Sequence, residues 1–212
     1  MAQSIKIGVI GAAGKSGKYI LNLLLHKGLD CKILLRHPEN FQIQNSKAEI
    51  VEGDVRHYDA VQKLLRDCNI VVSTLGQAKG ETPVFSQAAA NVIAAVDEFN
   101  ISRYIVITGL SVNTPFDRKG PATKAATDWM YNNYPATTHD KQVEYEMMAA
   151  SPINWTLIRL PLIEQTECNN KILVDLEDCP SDKISATSLA HFIVDQFFND
   201  AYIGKAPFIA NA

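Results

Sequence analysis

The sequence lacks the features that would assign it to a membrane or to nucleic acid. Its apolar runs are short, and the run Ile20–Leu25 is interrupted by Asn22, so no membrane span is predicted. The 20 Lys and Arg against 23 Asp and Glu give a net charge of −3 and form no basic block, so no nucleic-acid partner is expected. Four residues precede the first apolar run, too few for a secretory signal, which predicts a cytoplasmic protein.

Closely spaced cysteine pairs are also missing. The four cysteines contain no Cys-x-x-Cys spacing, which favours free thiols over a disulfide framework. Cys168 and Cys179 are near enough in sequence to bridge or to share a metal, but paired histidine ligands are lacking nearby. The sequence therefore predicts no metal site.

What the sequence does contain is a glycine-rich turn between an apolar run and an amphipathic one. Gly11, Gly14 and Gly17 follow Ile5–Ile10 and open the helical pattern Ser16–Lys27. Gly11 permits a sharp turn, Gly14 leaves room for a pyrophosphate and Gly17 permits close packing of helix on strand. The NH groups of the helix start, with Lys15 and Ser16 beside them, favour an anion. The alternative is a purely structural turn.

Short apolar runs alternate with amphipathic runs along the rest of the chain, and this order predicts a doubly wound, mostly parallel α/β sheet. The predicted strands are Ile5–Ile10, Cys31–Leu35, Ala48–Val51, Ile70–Thr74, Tyr104–Thr108 and Trp155–Arg159, with a possible short strand at Lys171–Val174. The predicted helices are Ser16–Lys27, Tyr58–Asp67, Pro83–Phe99, Thr138–Ala150 and Ser185–Asn199. One domain over residues 1–212 is expected, with substrate-side excursions at about 111–137 and 164–183.

The end of the second strand indicates which dinucleotide binds. Leu35 is followed by Arg36, a cation whose planar fork matches a ribose phosphate, and Lys15 offers a second charge from across the pocket. NADP(H) is therefore favoured over NAD(H) as the cofactor. In the alternative, Arg36 is a solvated loop residue and Glu39 binds the ribose.

Taken together, the motifs resemble the atypical short-chain dehydrogenases/reductases, the NmrA-like and biliverdin/flavin-reductase-like proteins with an NAD(P)-binding Rossmann fold. The resemblance runs from about residue 5 to 190. The segments that carry it are Gly11–Gly17, Leu35-Arg36, Gly53-Asp54-Val55, Ser73–Gly76, Val106–Ser111, His139-Asp140-Lys141 with Glu144, and Trp155–Pro161.

The resemblance implies roles for residues at several strand ends. Asp54 and Val55 are expected to contact adenine, and Lys141 the nicotinamide ribose. The remaining residues that it places near the cofactor are Thr74, Leu75 and Gly76 at the ribose and phosphates, Thr108 after the fifth strand, and Pro161, Leu162 and Ile163 at the nicotinamide. The last three are equally compatible with the protein core.

The catalytic residues are less clearly indicated. The superfamily's Tyr-x-x-x-Lys pair is broken, because Thr137 stands where the tyrosine would precede Lys141. Ser111, or Thr108 in another register, is the candidate polar group near the reacting ring. His139 is a candidate proton donor, with a solvated helix-start histidine as the alternative.

The segment after residue 120 contributes two further expectations. Four apolar and aromatic residues either line an acceptor pocket or pack the excursion onto the sheet: Trp129, Met130, Tyr131 and Tyr134. A solvated helix face is expected at Glu144, Tyr145 and Glu146.

Two functions fit this pattern. The first is an NADPH-dependent oxidoreductase acting on a small-molecule acceptor such as a flavin or quinone, because the cofactor itself carries the hydride chemistry. The second is a non-enzymatic NADP-binding sensor of the NmrA type. A sugar-nucleotide epimerase is disfavoured, because that chemistry needs the tyrosine and a larger C-terminal domain.

Overall fold

The computed structural model describes residues 5–212, and a single large sheet runs through it. The strands are β1 Lys6–Ile10, β2 Asp30–Leu35, β3 Ala48–Glu52, β4 Ile70–Ser73, β5 Arg103–Gly109, β6 Trp155–Leu160, β7 Leu162–Glu164, β8 Ile172–Asp175, β9 Lys183–Ser185 and β10 Phe208–Asn211. The helices are α1 Gly17–His26, α2 Tyr58–Leu65, α3 Phe85–Phe99, α4 Pro121–Asn133, α5 Pro135–Ala150 and α6 Ala186–Asp195.

Eight strands form the large sheet in the order β3-β2-β1-β4-β5-β6-β10-β8. All neighbours are parallel except β8, which pairs antiparallel with β10. β7 and β9 form a separate parallel pair. The predicted doubly wound, mostly parallel α/β fold is confirmed. The order of the strands reverses between β1 and β4, and the crevice beyond their carboxyl ends is where folds of this type bind ligands.

The sheet is buried on both faces, as its continuous apolar strands require. One hydrophobic cluster joins α1 and α6 to residues such as Ile7 and Val9 of β1. A second cluster, on the opposite face, joins α2, α3 and α5 to residues such as Ile10 and Val71. Because the sheet is clamped between these two layers, the loops at its carboxyl edge start from fixed positions.

The six long predicted strands match β1–β6 to within one residue at each end. β10 was not predicted, because its four residues form a strand only by lying between β6 and β8, which are distant in sequence. α5 begins at Pro135, three residues before its predicted start, since proline is well suited to the first turn of a helix. Within residues 5–212, no helix combines the length and the apolar character that a membrane crossing needs.

Candidate active site

The glycine turn joins β1 to α1 and is held by the end of β4. Gly11 has a φ of +82°, and its carbonyl accepts a hydrogen bond of 2.9 Å from the NH of Gly14. The Thr74 hydroxyl lies 3.1 Å from the carbonyl oxygens of both Ile10 and Gly11. A Cβ on Gly17 would overlap the Gly11 carbonyl oxygen, so a larger residue would push the helix off the turn.

The start of α1 is left free for an anion. The first turn of the helix contains no acidic residue, and the side chain of Ser16 forms no capping hydrogen bond. The positive end of the helix dipole is therefore not neutralised by the protein's own side chains. At the turn, a Cβ on the glycines would block the approach to the backbone. The turn and the start of α1 together fit the pyrophosphate of a dinucleotide.

A cavity of about 230 Å³ extends from this turn toward β2 and β3. It brings together most of the residues expected near the adenosine: Gly11, Gly14, Arg36, Asp54, Val55, Thr74, Leu75 and Gly76. Glu39, the alternative ribose ligand, does not line it and instead lies 3.3 Å from His37 Nδ1 with its side chain 65% exposed. The cavity wall thus contains Arg36 and not Glu39.

Charged side chains meet at the outer wall of this first cavity. Arg36 Nη1 lies 2.7 Å from Glu81 Oε2, and Arg56 Nη2 lies 2.9 Å from the same oxygen. Arg56 Nη1 also contacts Asp54 at 2.8 Å. Hydrogen bonds from Arg36 and then Arg56 lower the pKa of Glu81 to about 2. Sequence reasoning missed Arg56 and Glu81, although Arg56 follows the Gly-Asp-Val segment directly.

A second cavity, of about 500 Å³, continues the first along the carboxyl edge. Four residues predicted near the nicotinamide end line it, Thr108, Lys141, Pro161 and Ile163, together with Lys15 and Ser16 of the glycine turn. Lys15 does not line the cavity of Arg36, and its role as a second charge beside the ribose phosphate stays a prediction. The cation beside Arg36 is Arg56.

Lys141 is positioned by contacts between α5 and α3. The carboxylate of Asp140 accepts a 2.8 Å hydrogen bond from the NH of Phe85, which fixes α5 at the start of α3. The Lys141 ammonium then lies 4.5 Å from the centre of the Phe85 ring. Burial lowers the pKa of Lys141. The Lys141 ammonium is thus held in place as a hydrogen-bond donor for the second cavity, which Lys141 lines.

A third cavity, of about 640 Å³, lies under α4 and meets the second at Gly109, Leu160 and Pro161. Its other lining residues are mostly apolar: Leu110, Ser111, Ala122, Thr123, Ala126, Trp129, Met130, Leu162, Cys179, Pro180, Ser181 and Asp182. The Ser111 hydroxyl is buried and has no hydrogen-bond partner among residues 5–212. Leu162, expected beside the nicotinamide, lines this acceptor-side cavity instead.

The aromatic residues of the excursion divide between two surfaces. Trp129 and Met130 line the third cavity, and the ring of Trp129 packs edge-on against Tyr134 at 5.6 Å. Tyr131 lines a different depression beside Asp117. Trp129 and Met130 therefore line one cavity, whereas Tyr131 and Tyr134 do not line it and Tyr134 is exposed. The role of the set in binding an acceptor stays a prediction.

The three candidate catalytic residues are not brought together. Ser111 lines the third cavity and Lys141 the second, while His139 is exposed on α5 and lines neither. The geometry thus leaves His139 as the solvated histidine of the alternative interpretation.

The solvated helix face expected on α5 is wrong for two of its three residues. Glu144 is only 1% exposed and Tyr145 is buried, whereas Glu146 is exposed. Glu144 lies three residues after Lys141, so both belong to the helix face that packs inward. Burial raises the pKa of Glu144 to about 8, and its two oxygens have no hydrogen-bond partner among residues 5–212.

The excursion over the third cavity is anchored by Arg159 of β6. This fully buried side chain forms an ion pair of 2.6 Å with Asp117 and lies 3.5 Å from the centre of the Phe208 ring. Its guanidinium also donates to the carbonyls of Val112 and Ala206 at 3.2 and 2.8 Å. One arginine thus connects the excursion to the end of the chain.

A comparison with known families decides what kind of protein this is. The model of a family described as NAD(P)H-binding matches residues 11–200, most of the chain. The chain belongs to this NAD(P)H-binding family. The resemblance to the atypical short-chain dehydrogenases/reductases is thereby confirmed, and the cradle described above is the part of the molecule that fits such a cofactor.

The individual proteins that this chain is similar to are distant in sequence. YwnB of Bacillus subtilis, an uncharacterized protein, is 21% identical over 154 residues, which cover 73% of this chain and 70% of YwnB. A short-chain dehydrogenase/reductase of Veillonella parvula, solved in complex with NADP, superposes with a TM-score of 0.79 at 15% identity over 98% of this chain and 94% of its own. ChuY of Escherichia coli O157:H7, an anaerobillin reductase, gives 0.79 at 19% identity over 97% of each chain.

Proposed function

We propose that this protein is an NADPH-dependent reductase that passes a hydride to a flat, conjugated small-molecule acceptor. The observation that carries the proposal is the continuity of three cavities along one sheet edge. The first presents two arginines, the second two lysines, and the third a largely apolar wall. The NADP-bound Veillonella parvula structure and the reductase ChuY support the same cofactor and reaction class.

The residues of the cradle would hold the cofactor end to end. The NH groups at the start of α1 would bind the pyrophosphate, Arg36 a ribose phosphate, and Lys141 the second ribose. The bound nicotinamide supplies the hydride, while the protein supplies position. Pro161 and Ile163 line the second cavity, where that transfer would occur.

On the acceptor side, the chain offers hydrogen bonding and not an obvious proton relay. Ser111 lines the third cavity, and its hydroxyl is buried without a hydrogen-bond partner among residues 5–212, so a rotation of this side chain would let it donate to a polar edge of the acceptor. The apolar wall that includes Ala126, Trp129 and Met130 suits the face of a conjugated ring system.

The test combines binding with turnover. Arg36→Ala should weaken NADPH binding about tenfold or more while leaving NADH binding nearly unchanged, because only NADPH carries the 2′-phosphate. NADPH oxidation should then be measured against flavins, quinones, linear tetrapyrroles and aldehydes. Equal losses for both cofactors would contradict the phosphate role of Arg36.

A matched change on the acceptor side completes the design. Ala126→Phe places a ring in the third cavity and narrows it, so turnover of any acceptor found in the panel should fall about tenfold while NADPH affinity stays within about twofold. Lys124→Ala, an exposed position on the same helix outside that cavity, is the control.

The second candidate is a cofactor sensor without catalysis. The observation that favours it is the exposure of His139 together with threonine at position 137, which leaves the second cavity without the superfamily's tyrosine. Tight NADPH binding with no turnover of any acceptor in the panel would support the sensor and contradict the reductase.

A further inference from the structure

The carboxylate of Glu81 lies where two arginines converge on the wall of the first cavity. One oxygen, Oε2, accepts from Arg36 Nη1 at 2.7 Å and from Arg56 Nη2 at 2.9 Å. All three side chains line the cavity, and they are 42%, 31% and 38% exposed for Arg36, Arg56 and Glu81. The cluster is therefore accessible to a ligand from solvent.

The two arginines and the glutamate are held in different ways. Arg36 follows β2 directly and Arg56 follows β3 by four residues, so the sheet sets both positions. Asp54 additionally holds Arg56 through hydrogen bonds to its guanidinium, at 2.8 Å, and to its backbone NH, at 2.9 Å. Glu81 belongs instead to the loop between β4 and α3, where Gly80 has a φ of +78°.

The contacts of this loop are few and local. The Gln77 side chain donates to the Glu81 carbonyl at 2.7 Å, and the Glu81 NH donates to the Ala78 carbonyl at 3.3 Å. These bonds shape the turn without tying it to the sheet. The Glu81 carboxylate can therefore leave the arginines with little cost to the fold, whereas Arg56 keeps its ion pair with Asp54.

The Glu81 carboxylate accepts hydrogen bonds from two guanidinium groups, and a phosphate monoester is a stronger acceptor for the same donors. Phosphate has three acceptor oxygens and a larger charge, and arginine's planar fork matches it well. A ribose 2′-hydroxyl, by contrast, can bring no charge to two cations. Once Glu81 has moved away, the two arginines should therefore bind a 2′-phosphate more strongly than a 2′-hydroxyl.

We propose that Arg36 and Arg56 together form the site for the 2′-phosphate of NADP, and that Glu81 occupies this site until the phosphate displaces it. The inference rests on the proposed function, because it assigns the phosphate end of the same cofactor. Glu81 then sets the affinity for NADP as an internal competitor, and it keeps the two like charges together when no cofactor is bound.

The test is the affinity of the purified protein for NADP⁺ and NAD⁺, measured by isothermal titration calorimetry. Glu81→Gln removes the competing charge, so NADP⁺ should bind about three- to fivefold more tightly while NAD⁺ changes by less than about twofold. Arg56→Ala should weaken NADP⁺ about tenfold and NAD⁺ much less. Adenosine 2′,5′-bisphosphate against AMP, as smaller probes, should show the same pattern.

Glu52→Gln is the matched control. It removes the same charge at the end of β3, where Glu52 is exposed, forms no ion pair with residues 5–212 and does not line the cavity. Glu52→Gln should leave the affinities for NADP⁺ and NAD⁺ within about twofold of wild type. If the effect of Glu81→Gln comes from overall charge, Glu52→Gln should change the affinities in the same way.

Two outcomes would overturn the inference. If Glu81→Gln weakens NAD⁺, the carboxylate binds a ribose hydroxyl; if neither affinity changes, Glu81 is only a surface ion pair. The proposed function can fail separately. If the wild-type protein binds neither dinucleotide, both proposals are wrong. If NADP⁺ binds tightly and its affinity responds to Glu81→Gln, but no acceptor is turned over, only the proposed reductase activity is wrong.

Discussion

The phosphate turn and the excursion over the third cavity lie at the same edge of the sheet, but different interactions hold them. The turn is a single stretch, Gly11–Gly17, whose shape depends on missing side chains and on backbone hydrogen bonds. The excursion is held by side chains, above all by the buried pair of Arg159 and Asp117. The first can be read from seven consecutive residues, whereas the second depends on partners 42 positions apart.

Under the proposed function, this contrast separates the region that would bind the cofactor from the region that would select the acceptor. A backbone cradle recognises an anion that all dinucleotides share, so a general solution suffices. A pocket made by an inserted helix changes with each side chain on it, while the cradle stays as it is. Substitutions should therefore affect the two regions independently.

The largest effect is expected in the turn. Gly17→Ala should destabilise the protein by about 4 kcal/mol or more, because the new Cβ would overlap the Gly11 carbonyl oxygen. Urea unfolding measures the loss, and calorimetry should show NADPH affinity falling about 100-fold in any folded protein that remains.

Gly8→Ala is the control for that change. Its Cβ would meet only ordinary contacts, the nearest 3.5 Å away at the Cys68 sulfur, so the loss should stay within about 1 kcal/mol. Similar losses for both variants would mean that the close approach at Gly17 is not what constrains the turn.

An intermediate effect is expected in the anchor of the excursion. Asp117→Ala leaves the Arg159 guanidinium buried without its carboxylate, at a cost of about 3 kcal/mol in the free energy of unfolding. Because the excursion covers the third cavity, the KM for an acceptor should rise while the Kd for NADPH stays within about twofold. Asp128→Ala, at an exposed site on α4, is the control. An equal loss of NADPH affinity would show that the two regions are coupled.

The smallest effect concerns Glu144, behind the second cavity. Its pKa is raised from 4.5 to about 8, so between these values the folded protein keeps a proton that the unfolded chain has released. The contribution of Glu144 to stability therefore declines as pH rises from 5 to 8. Glu144→Gln should remove this decline and stabilise the protein at pH 8 by about 1–2 kcal/mol.

Thermal unfolding from pH 5 to 8 checks the prediction, with exposed Glu146→Gln on the same helix as the control. The charged groups that act on the Glu144 carboxyl are Lys141 and Asp140, and all variants retain them. Parallel pH profiles for wild type and Glu144→Gln would place the titrating group elsewhere.

Much of the fold could be predicted because its signals are local. Strands buried on both faces need continuous apolar residues, and β1–β6 show them plainly. β10 has only four residues and no periodic signal, so its place between β6 and β8 depends on pairing with distant segments. The roles assigned to single site residues stay predictions, although the structure places most of them along one crevice.

Within the site, the limit of prediction has the same cause. Arg36 was identifiable because it ends a strand at a known place in the crevice, whereas Glu81 reaches it from a loop 45 positions later. Glu144 appeared solvated because it is charged, and its burial depends on which face of α5 packs inward.

The sequence alone determined the strands β1–β6, the glycine cradle and the position of Arg36, because each depends on residues that are neighbours in the chain. Only the tertiary structure decided that Arg56 and Glu81 meet Arg36, that Lys15 and Lys141 line the same cavity, and that Arg159 anchors the excursion. Such contacts join segments whose separation folding removes, and their energies depend on burial and distance, which no local pattern encodes.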